Sequence, residues 1–366
     1  MKKINILIES AFLVIIFQLL TVSAHDMSDG PLDLDKDSIP HISADFYRDS
    51  KNAMLNYSLP EPGPERAAPS GSIKIISYGD DFRIFLAKAE NADRETQVNA
   101  WIELSNKLPP GLGNSIFHTN SQGLEAAVKE ALPGYMSKMP EIREETLYLF
   151  DVGPTAIQNT YYRFRKVFSD FTEGATAYIF PSMFRRGISA APTEKAILFG
   201  PDTMVSMGLT EKAFTIGTAH ELFHNYEYFA SSGKKMNTFA AALWSDGAAN
   251  YVSGLINPEA SQADILLDSV LSERCSDAAF VKDLARRYRS ILDKSFREAD
   301  NAAINEEWFG STGVSTLQNP TRKAYCLGLQ VIKKLVPAYN IPVMLTWPEP
   351  KLVKIMDKTL AEMSAD

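Results

Sequence analysis

Cysteine is scarce in this sequence, which has two cysteines among 366 residues. Small secreted proteins built on a disulfide framework carry many more, so that class is excluded. Glycine and proline, with 20 residues each, lack the abundance found in collagen-like or low-complexity chains. Hydrophobic residues make up 45% of the chain and charged residues 22%, as in ordinary globular proteins. The composition therefore predicts a folded protein with a substantial core.

An excess of basic residues is also missing. The chain has 37 Lys and Arg against 45 Asp and Glu, which gives a formal net charge of −8. Proteins that bind nucleic acid through its phosphates normally present a basic surface. We therefore expect no nucleic acid among the partners of this protein.

Long hydrophobic runs are missing except near the start of the chain. Lys2 and Lys3 precede a largely apolar run, Ala11–Leu20, and small residues follow it up to Ala24. This order is typical of a secretory signal peptide, and the run is shorter than the about 20 residues that span a membrane. We expect residues 1–24 to be cleaved off, leaving an exported protein, periplasmic or secreted, with no stable membrane anchor.

The rest of the chain divides by composition into three parts. Residues 25–72 predict an acidic arm and a Pro-rich linker. Residues 73–174 predict a mixed, largely helical part, and 175–366 begin with strands and become almost entirely helical after Thr210. This order favours the α+β class over regular alternation. The individual predictions are strands at Ile73–Ser77, Phe82–Leu86, Thr176–Pro181 and Ala196–Gly200, and helices at Glu95–Lys107, Ser121–Leu132 and Ala156–Phe171.

The most informative motif is HExxH, formed by His220, Glu221 and His224 within a helical pattern. Residues four apart on a helix lie on one face, so both imidazoles can reach one metal ion. The glutamate beside the first histidine can then take a proton from a bound water. The chain has only five histidines, so two surface histidines at this spacing are a weaker interpretation. The other three, His25, His41 and His118, have no clear partners and are expected at the surface.

A zinc site needs a third protein ligand, and two acidic residues are candidates. Glu227 shares the helix face of the histidines, but it lies seven residues after His220, about 10.5 Å along a straight helix. We interpret it as a surface acid or one that supports a ligand from behind. Asp246 lies 22 positions after His224, a separation that suits a helical hairpin returning an acid to the metal.

These segments resemble a known family. HELFH followed by LWSDGAANYVSGLINP is similar to the HExxH and EGxAxY motifs of gluzincin-type zinc metallopeptidases. The resemblance is closer to exported bacterial predicted Zn-dependent peptidases, whose second motif is typically LWxEGLAxYVSxxLNP. It is specific over Thr215–Pro258, looser from about Thr176 to Leu335, and says little about the first 150 residues.

The resemblance implies an α+β, zincin-like catalytic domain in residues 175–366, with a small sheet over a mostly helical lower half and HExxH on the active-site helix. It implies a peptidase of peptide or protein substrates with one Zn²⁺, whose ligands would be His220, His224 and Asp246. Glu221 would be the general base.

Two further roles follow from the resemblance. Related peptidases have a Pro–Arg–Gly–Tyr-like run where this chain has NPTRKAYCLG, so Tyr325 is a candidate donor to the oxyanion; a core tyrosine is the alternative. In gluzincins a strand before the HExxH helix binds the substrate backbone. Either Gly187–Ala191 or Ala196–Gly200 would take that place here.

The chain departs from the family at Asp246, where the family has Glu. Asp is a competent zinc ligand but one methylene shorter, and the alternative is that Asp246 only caps a helix starting near Gly247. Asn250, one turn later, either accepts a ring N–H from a ligating histidine or is an ordinary polar residue. The departure also keeps open a different function, that of a catalytically impaired, secreted binding protein.

The two cysteines, Cys275 and Cys326, are an even pair in a chain expected to be exported, where oxidation is favoured. We expect them to form a disulfide, with two buried free thiols as the alternative.

Overall fold

Four short strands form one mixed sheet in the order β1-β2-β4-β3. The computed structural model describes residues 72–109, 121–191, 195–231, 237–310 and 315–365. The predicted signal peptide, the arm and linker up to residue 71, and His25, His41 and His118 lie outside these ranges. β1 and β2 are parallel, β2 and β4 are parallel, and β3 runs antiparallel to β4 at the edge. The strands are β1 (Ile73–Ser77), β2 (Ala175–Ile179), β3 (Ile188–Ala191) and β4 (Ala196–Phe199).

Helices make up most of the described chain, and the strands are confined to one small mixed sheet. The fold class is therefore α+β, as predicted. No helix in the described ranges combines the length and the apolar character needed to cross a membrane. The helices are α1 (Gly79–Ala89), α2 (Arg94–Ser105), α3 (Ser121–Val167), α4 (Pro201–Ser206), α5 (Lys212–Ala230), α6 (Phe239–Ile256), α7 (Gln262–Leu266), α8 (Ser269–Cys275), α9 (Ala278–Tyr288), α10 (Ala302–Phe309), α11 (Lys323–Leu335), α12 (Ile341–Leu345) and α13 (Glu349–Ser364).

The predicted strand at Phe82–Leu86 is wrong, because these residues lie inside α1. Phe82, Phe85 and Leu86 are buried, whereas Ile84 is 48% exposed. Burial at i, i+3 and i+4 is the pattern of one helix face, not of a strand. The strands predicted at Ile73–Ser77, Thr176–Pro181 and Ala196–Gly200 are confirmed to within two residues.

The helices predicted at Ser121–Leu132 and Ala156–Phe171 are parts of one helix of 47 residues, α3, which ends at Val167, before the predicted end at Phe171. It contains Pro133, Pro140 and Pro154, although proline in a helix interior removes a backbone hydrogen bond. α3 packs against β1 and α2 on one side of the predicted boundary at residue 174 and against α5 on the other. All the described residues fall within one compact unit, and the boundary itself stays a prediction.

A cluster of aromatic rings attaches the end of α3 to α5. Tyr226 on α5 lies 4.8 Å from Phe168 and 5.9 Å from Phe171 between ring centroids. Its hydroxyl donates a hydrogen bond of 2.8 Å to Asp170. Buried aromatic pairs of this kind stabilise a fold by about 0.5–1.5 kcal/mol each beyond their buried area. The helix that carries the HExxH motif is therefore held firmly against the body of the protein.

The predicted disulfide is confirmed. Cys275 at the end of α8 is bonded to Cys326 on α11, with 5.7 Å between their Cα atoms. Both cysteines are buried. The bond ties α11 to a helix that lies 51 residues earlier in the chain.

Candidate metal centre

Helix α5 presents both histidines of the motif on one face. His220 is buried, at 9% exposure, and His224 is partly buried. Their Nε2 atoms lie 3.1 Å apart. The i, i+4 spacing has therefore brought two imidazole nitrogens to one point, as the sequence predicted.

Helix α6 supplies the third side chain. Asp246 Oδ1 lies 3.6 Å from His220 Nε2 and 3.6 Å from His224 Nε2. Thr238 caps α6, with its side chain accepting a hydrogen bond from the backbone N–H of Ala241. The alternative that Asp246 caps a helix near Gly247 is wrong, since Asp246 lies in the middle of α6.

The three ligand atoms fit a single tetrahedral ion. All lie within 4.8 Å of one another. In a tetrahedral site with bonds of about 2.1 Å, neighbouring ligand atoms are about 3.4 Å apart. The separations of 3.1, 3.6 and 3.6 Å are close to that value. The shorter side chain of Asp246 thus reaches far enough to complete a set of three ligands.

Each histidine is held from behind through its other ring nitrogen. His220 Nδ1 lies 3.1 Å from Asn250 Oδ1, which can only accept, so the ring nitrogen carries the proton. The contact predicted between Asn250 and a histidine ring nitrogen is confirmed, and ligation of a metal by His220 stays a prediction. The proton on Nδ1 leaves the lone pair of Nε2 free to bind a metal.

Two side chains contact the Nδ1 atom of the second histidine. His224 Nδ1 lies 3.2 Å from Ser245 Oγ and 3.5 Å from Glu227 Oε2. Ser245 in turn donates its hydroxyl proton to Glu227. Glu227 therefore contacts the far ring nitrogen of His224 and is not one of the three side chains whose ligand atoms converge, which agrees with the interpretation of it as a supporting acid.

The electrostatics of the three groups favour a cation between them. Burial alone would raise the pKa of Asp246, but hydrogen bonds with His220 and His224 outweigh it and hold the pKa below its usual range. Burial alone would lower the pKa of His224, but hydrogen bonds with Asp246 and Glu227 raise it well above its ordinary value. An ionised carboxylate thus faces two nitrogen atoms, which is a donor set that suits Zn²⁺.

Glu221 and Tyr325, the other two predicted site residues, also lie here. The Glu221 side chain is only 8% exposed, and its charge helps to raise the pKa values of both His224 and Tyr325. The ring of Tyr325 is nearly parallel to the imidazole of His220, at 11° and 6.0 Å between centroids. Burial and then the charge of Asp246 raise the pKa of Tyr325 well above its usual value, so its hydroxyl keeps the proton.

Two glycines let α6 and α11 cross in direct backbone contact. A Cβ atom on Gly247 would lie 2.5 Å from the carbonyl of Gly328, and one on Gly328 would lie 2.6 Å from the carbonyl of Leu243. Such distances exclude any larger residue without movement of a helix. Because Gly247 follows Asp246 and Gly328 lies one turn after Tyr325, the crossing brings these two side chains together.

Sequence reasoning missed Ser245 and the glycine crossing. Ser245 directly precedes Asp246, but its contacts depend on how α6 faces α5, which no local pattern reveals. Gly328 lies within α11, and its distance from Gly247 along the chain does not indicate that the two helices cross there.

The chain matches no protein-family model, no curated protein and no solved structure.

Proposed function

We propose that this protein is an exported, zincin-like metallopeptidase of the gluzincin type, with one Zn²⁺ held by His220, His224 and Asp246. The observation that carries the proposal is the near-tetrahedral spacing of these three ligand atoms, each histidine having its other nitrogen engaged. Three protein ligands leave one coordination position open, as in catalytic rather than structural zinc sites. The reach of Asp246 also favours an enzyme over the impaired binding protein considered above.

Zinc in this position would polarise the scissile carbonyl and lower the pKa of the attacking water. Glu221, beside the first ligand on α5, would accept the proton from that water. It would then deliver the proton to the nitrogen of the departing amine. Glu221 is only 8% exposed, so little of its carboxylate is open to bulk solvent.

Tyr325 would stabilise the developing oxyanion. A tyrosine hydroxyl is protonated at neutral pH, and burial and the charge of Asp246 raise the pKa of Tyr325 further. A neutral O–H donor beside the carbonyl under attack is the kind of group that this step requires.

Strand β3 is the better of the two candidate strands for the substrate backbone. β4 lies between β2 and β3, whereas β3 has no strand beyond it among the described residues. Ile188 of β3 contacts Gly217, where an added Cβ would lie 2.7 Å from Ile188 Cδ1. The open edge therefore runs close to α5 just one turn before His220. An extended peptide could add to it as a further antiparallel strand.

Hydrolysis of an unfolded protein by the zinc-loaded enzyme tests the proposal. We expect the parent to cleave fluorescein-labelled casein and Glu221→Gln to lose about 100-fold or more of kcat. The variant should bind zinc as the parent does, because Gln keeps the shape of the side chain while removing the base. Glu211→Gln, on an exposed glutamate just before the same helix, is the matched control and should leave kcat unchanged.

Two results would contradict the proposal. If the zinc-loaded parent has no peptidase activity, the proposed reaction is wrong. A Glu221→Gln variant with undiminished activity would show that another group accepts the proton.

A further inference from the structure

Arg322 adopts a backbone conformation that a large side chain rarely takes. Its φ angle is +51°, in the left-handed region, at the residue immediately before α11. This conformation brings Cβ close to the following carbonyl oxygen and is therefore unfavourable for any residue other than glycine. Such strain persists only where the surroundings hold the residue in place, and it is concentrated at functional sites.

Three hydrogen bonds hold Arg322. Its Nη2 atom donates to the carbonyl oxygens of Leu266 at 2.7 Å and Leu267 at 3.1 Å. Its backbone N–H donates to the carbonyl of Gly310 at 3.1 Å. Arg322 therefore joins the end of α7 and the residue after α10 to the start of α11.

The fixed guanidinium group also contacts the candidate oxyanion donor. The Cζ atom of Arg322 lies over the ring of Tyr325, 5.2 Å from its centroid. The same ring lies nearly parallel to the imidazole of His220. The guanidinium held by two carbonyls and the imidazole of His220 thus both lie beside the ring of Tyr325.

We propose that Arg322 is a positioning residue that fixes the ring of Tyr325, so that its hydroxyl faces the substrate oxyanion. The effect of Arg322 on catalysis rests on the proposed function. Its effect on the orientation of the Tyr325 ring does not. Arg322 acts through Tyr325 and does not itself touch the substrate. Lys is not equivalent: in Arg322 one nitrogen, Nη2, bonds both carbonyls while Cζ of the same planar group lies over the ring. A lysine whose ammonium bonded the two carbonyls would have no planar cationic group left to cover the ring.

The geometric part is tested on the metal-free protein. With 3-fluorotyrosine at position 325, the parent should give one narrow ¹⁹F resonance, and Arg322→Lys should give a broadened or divided one. Arg289→Lys is the matched control, since Arg289 forms a surface ion pair with Asp357 and should leave the resonance unchanged. An Arg322→Lys spectrum identical to that of the parent would overturn the proposal.

The catalytic part is tested by a double-mutant cycle. Arg322→Lys should lower kcat about tenfold, since small misplacements at an active site have effects of this size, with KM and zinc content unchanged. In a Tyr325→Phe background, the same substitution should have no further effect on kcat, because the hydroxyl it positions is gone. Equal losses in both backgrounds would show a general structural role and overturn the proposal.

The two readouts separate the proposal from the function on which it rests. If the zinc-loaded parent hydrolyses nothing, the proposed function fails, and the ¹⁹F spectrum still decides whether Arg322 fixes Tyr325. If the parent is active and the cycle shows no coupling, the function stands and the role of Arg322 fails.

Discussion

At the scale of single residues, the unusual feature of the centre is the aspartate at position 246. Asp246 Oδ1 lies at the same distance, 3.6 Å, from both Nε2 atoms. A glutamate on this backbone would extend about 1.5 Å further and would have to fold back to reach the same point.

Loss of Asp246 should weaken zinc binding more than loss of any supporting residue. Removing a group that holds a ligand from behind typically costs 10- to 100-fold in metal affinity. We expect Glu227→Ala to fall in that range and Asp246→Ala to exceed it, because the ion then keeps only two protein ligands. Competition with a chromogenic zinc chelator measures both. An Asp246→Ala variant that binds zinc as tightly as the parent would show that another group completes the site.

At the scale of secondary-structure elements, the edge strand β3 has two alternating sets of backbone groups. Gly200 donates its N–H to the carbonyl of Gly187, and β3 continues antiparallel to β4 from there. Since bonded and non-bonded pairs alternate along such a ladder, Ser189 is bonded to β4, and Ile188 and Ala190 direct their N–H and C=O groups to the open edge.

Ala190→Pro should therefore impair peptide hydrolysis while leaving the sheet intact. Proline removes one outward N–H that a bound substrate would use, at a loss of about 1 kcal/mol, or about fivefold in kcat/KM. Steady-state kinetics with a peptide spanning the cleft measures this loss. Ser189→Pro is the contrasting control, because it removes a bond within the sheet and should lower the thermal midpoint instead. Unchanged kcat/KM for Ala190→Pro would place the substrate elsewhere.

The residues of the candidate site differ in how far the local sequence predicts their positions. His220, Glu221 and His224 were predictable because their geometry is local to one helix. Asn250 followed from its position one turn after Asp246 on a second helix.

Other elements depended on contacts distant in the chain. The segment Phe82–Leu86 is short and mostly apolar, which suits a strand as well as a helix, and only its packing shows which residues face the core. Which strand lies at the edge of the sheet depends on the strand order. The contacts of Arg322 depend on how α7, α10 and α11 are arranged, and no local sequence pattern contains either kind of information.

At the scale of the whole molecule, the disulfide anchors α11, the helix that carries Tyr325 beside the candidate metal centre. Cys326 directly follows Tyr325, and its partner Cys275 lies on α8. A bond closing a loop of 51 residues restricts the unfolded chain substantially. It therefore stabilises the fold and the placement of α11 together.

Replacing both cysteines should lower the free energy of unfolding. The chain-entropy model gives about 4 kcal/mol for a loop of this length. We expect Cys275→Ala with Cys326→Ala to approach that loss in urea denaturation, relative to the oxidised parent. The reduced parent, which keeps both side chains but lacks the bond, is the control for lost packing. A double variant as stable as the oxidised parent would contradict this role.

The most direct measurement is an anomalous difference map from crystals of the zinc-loaded protein, recorded on both sides of the zinc absorption edge. We expect one peak, about 2.0–2.2 Å from His220 Nε2, His224 Nε2 and Asp246 Oδ1, with Glu227 more distant and a fourth position occupied by water. No peak between these three atoms, or a peak bonded to Glu227 in place of Asp246, would contradict this expectation.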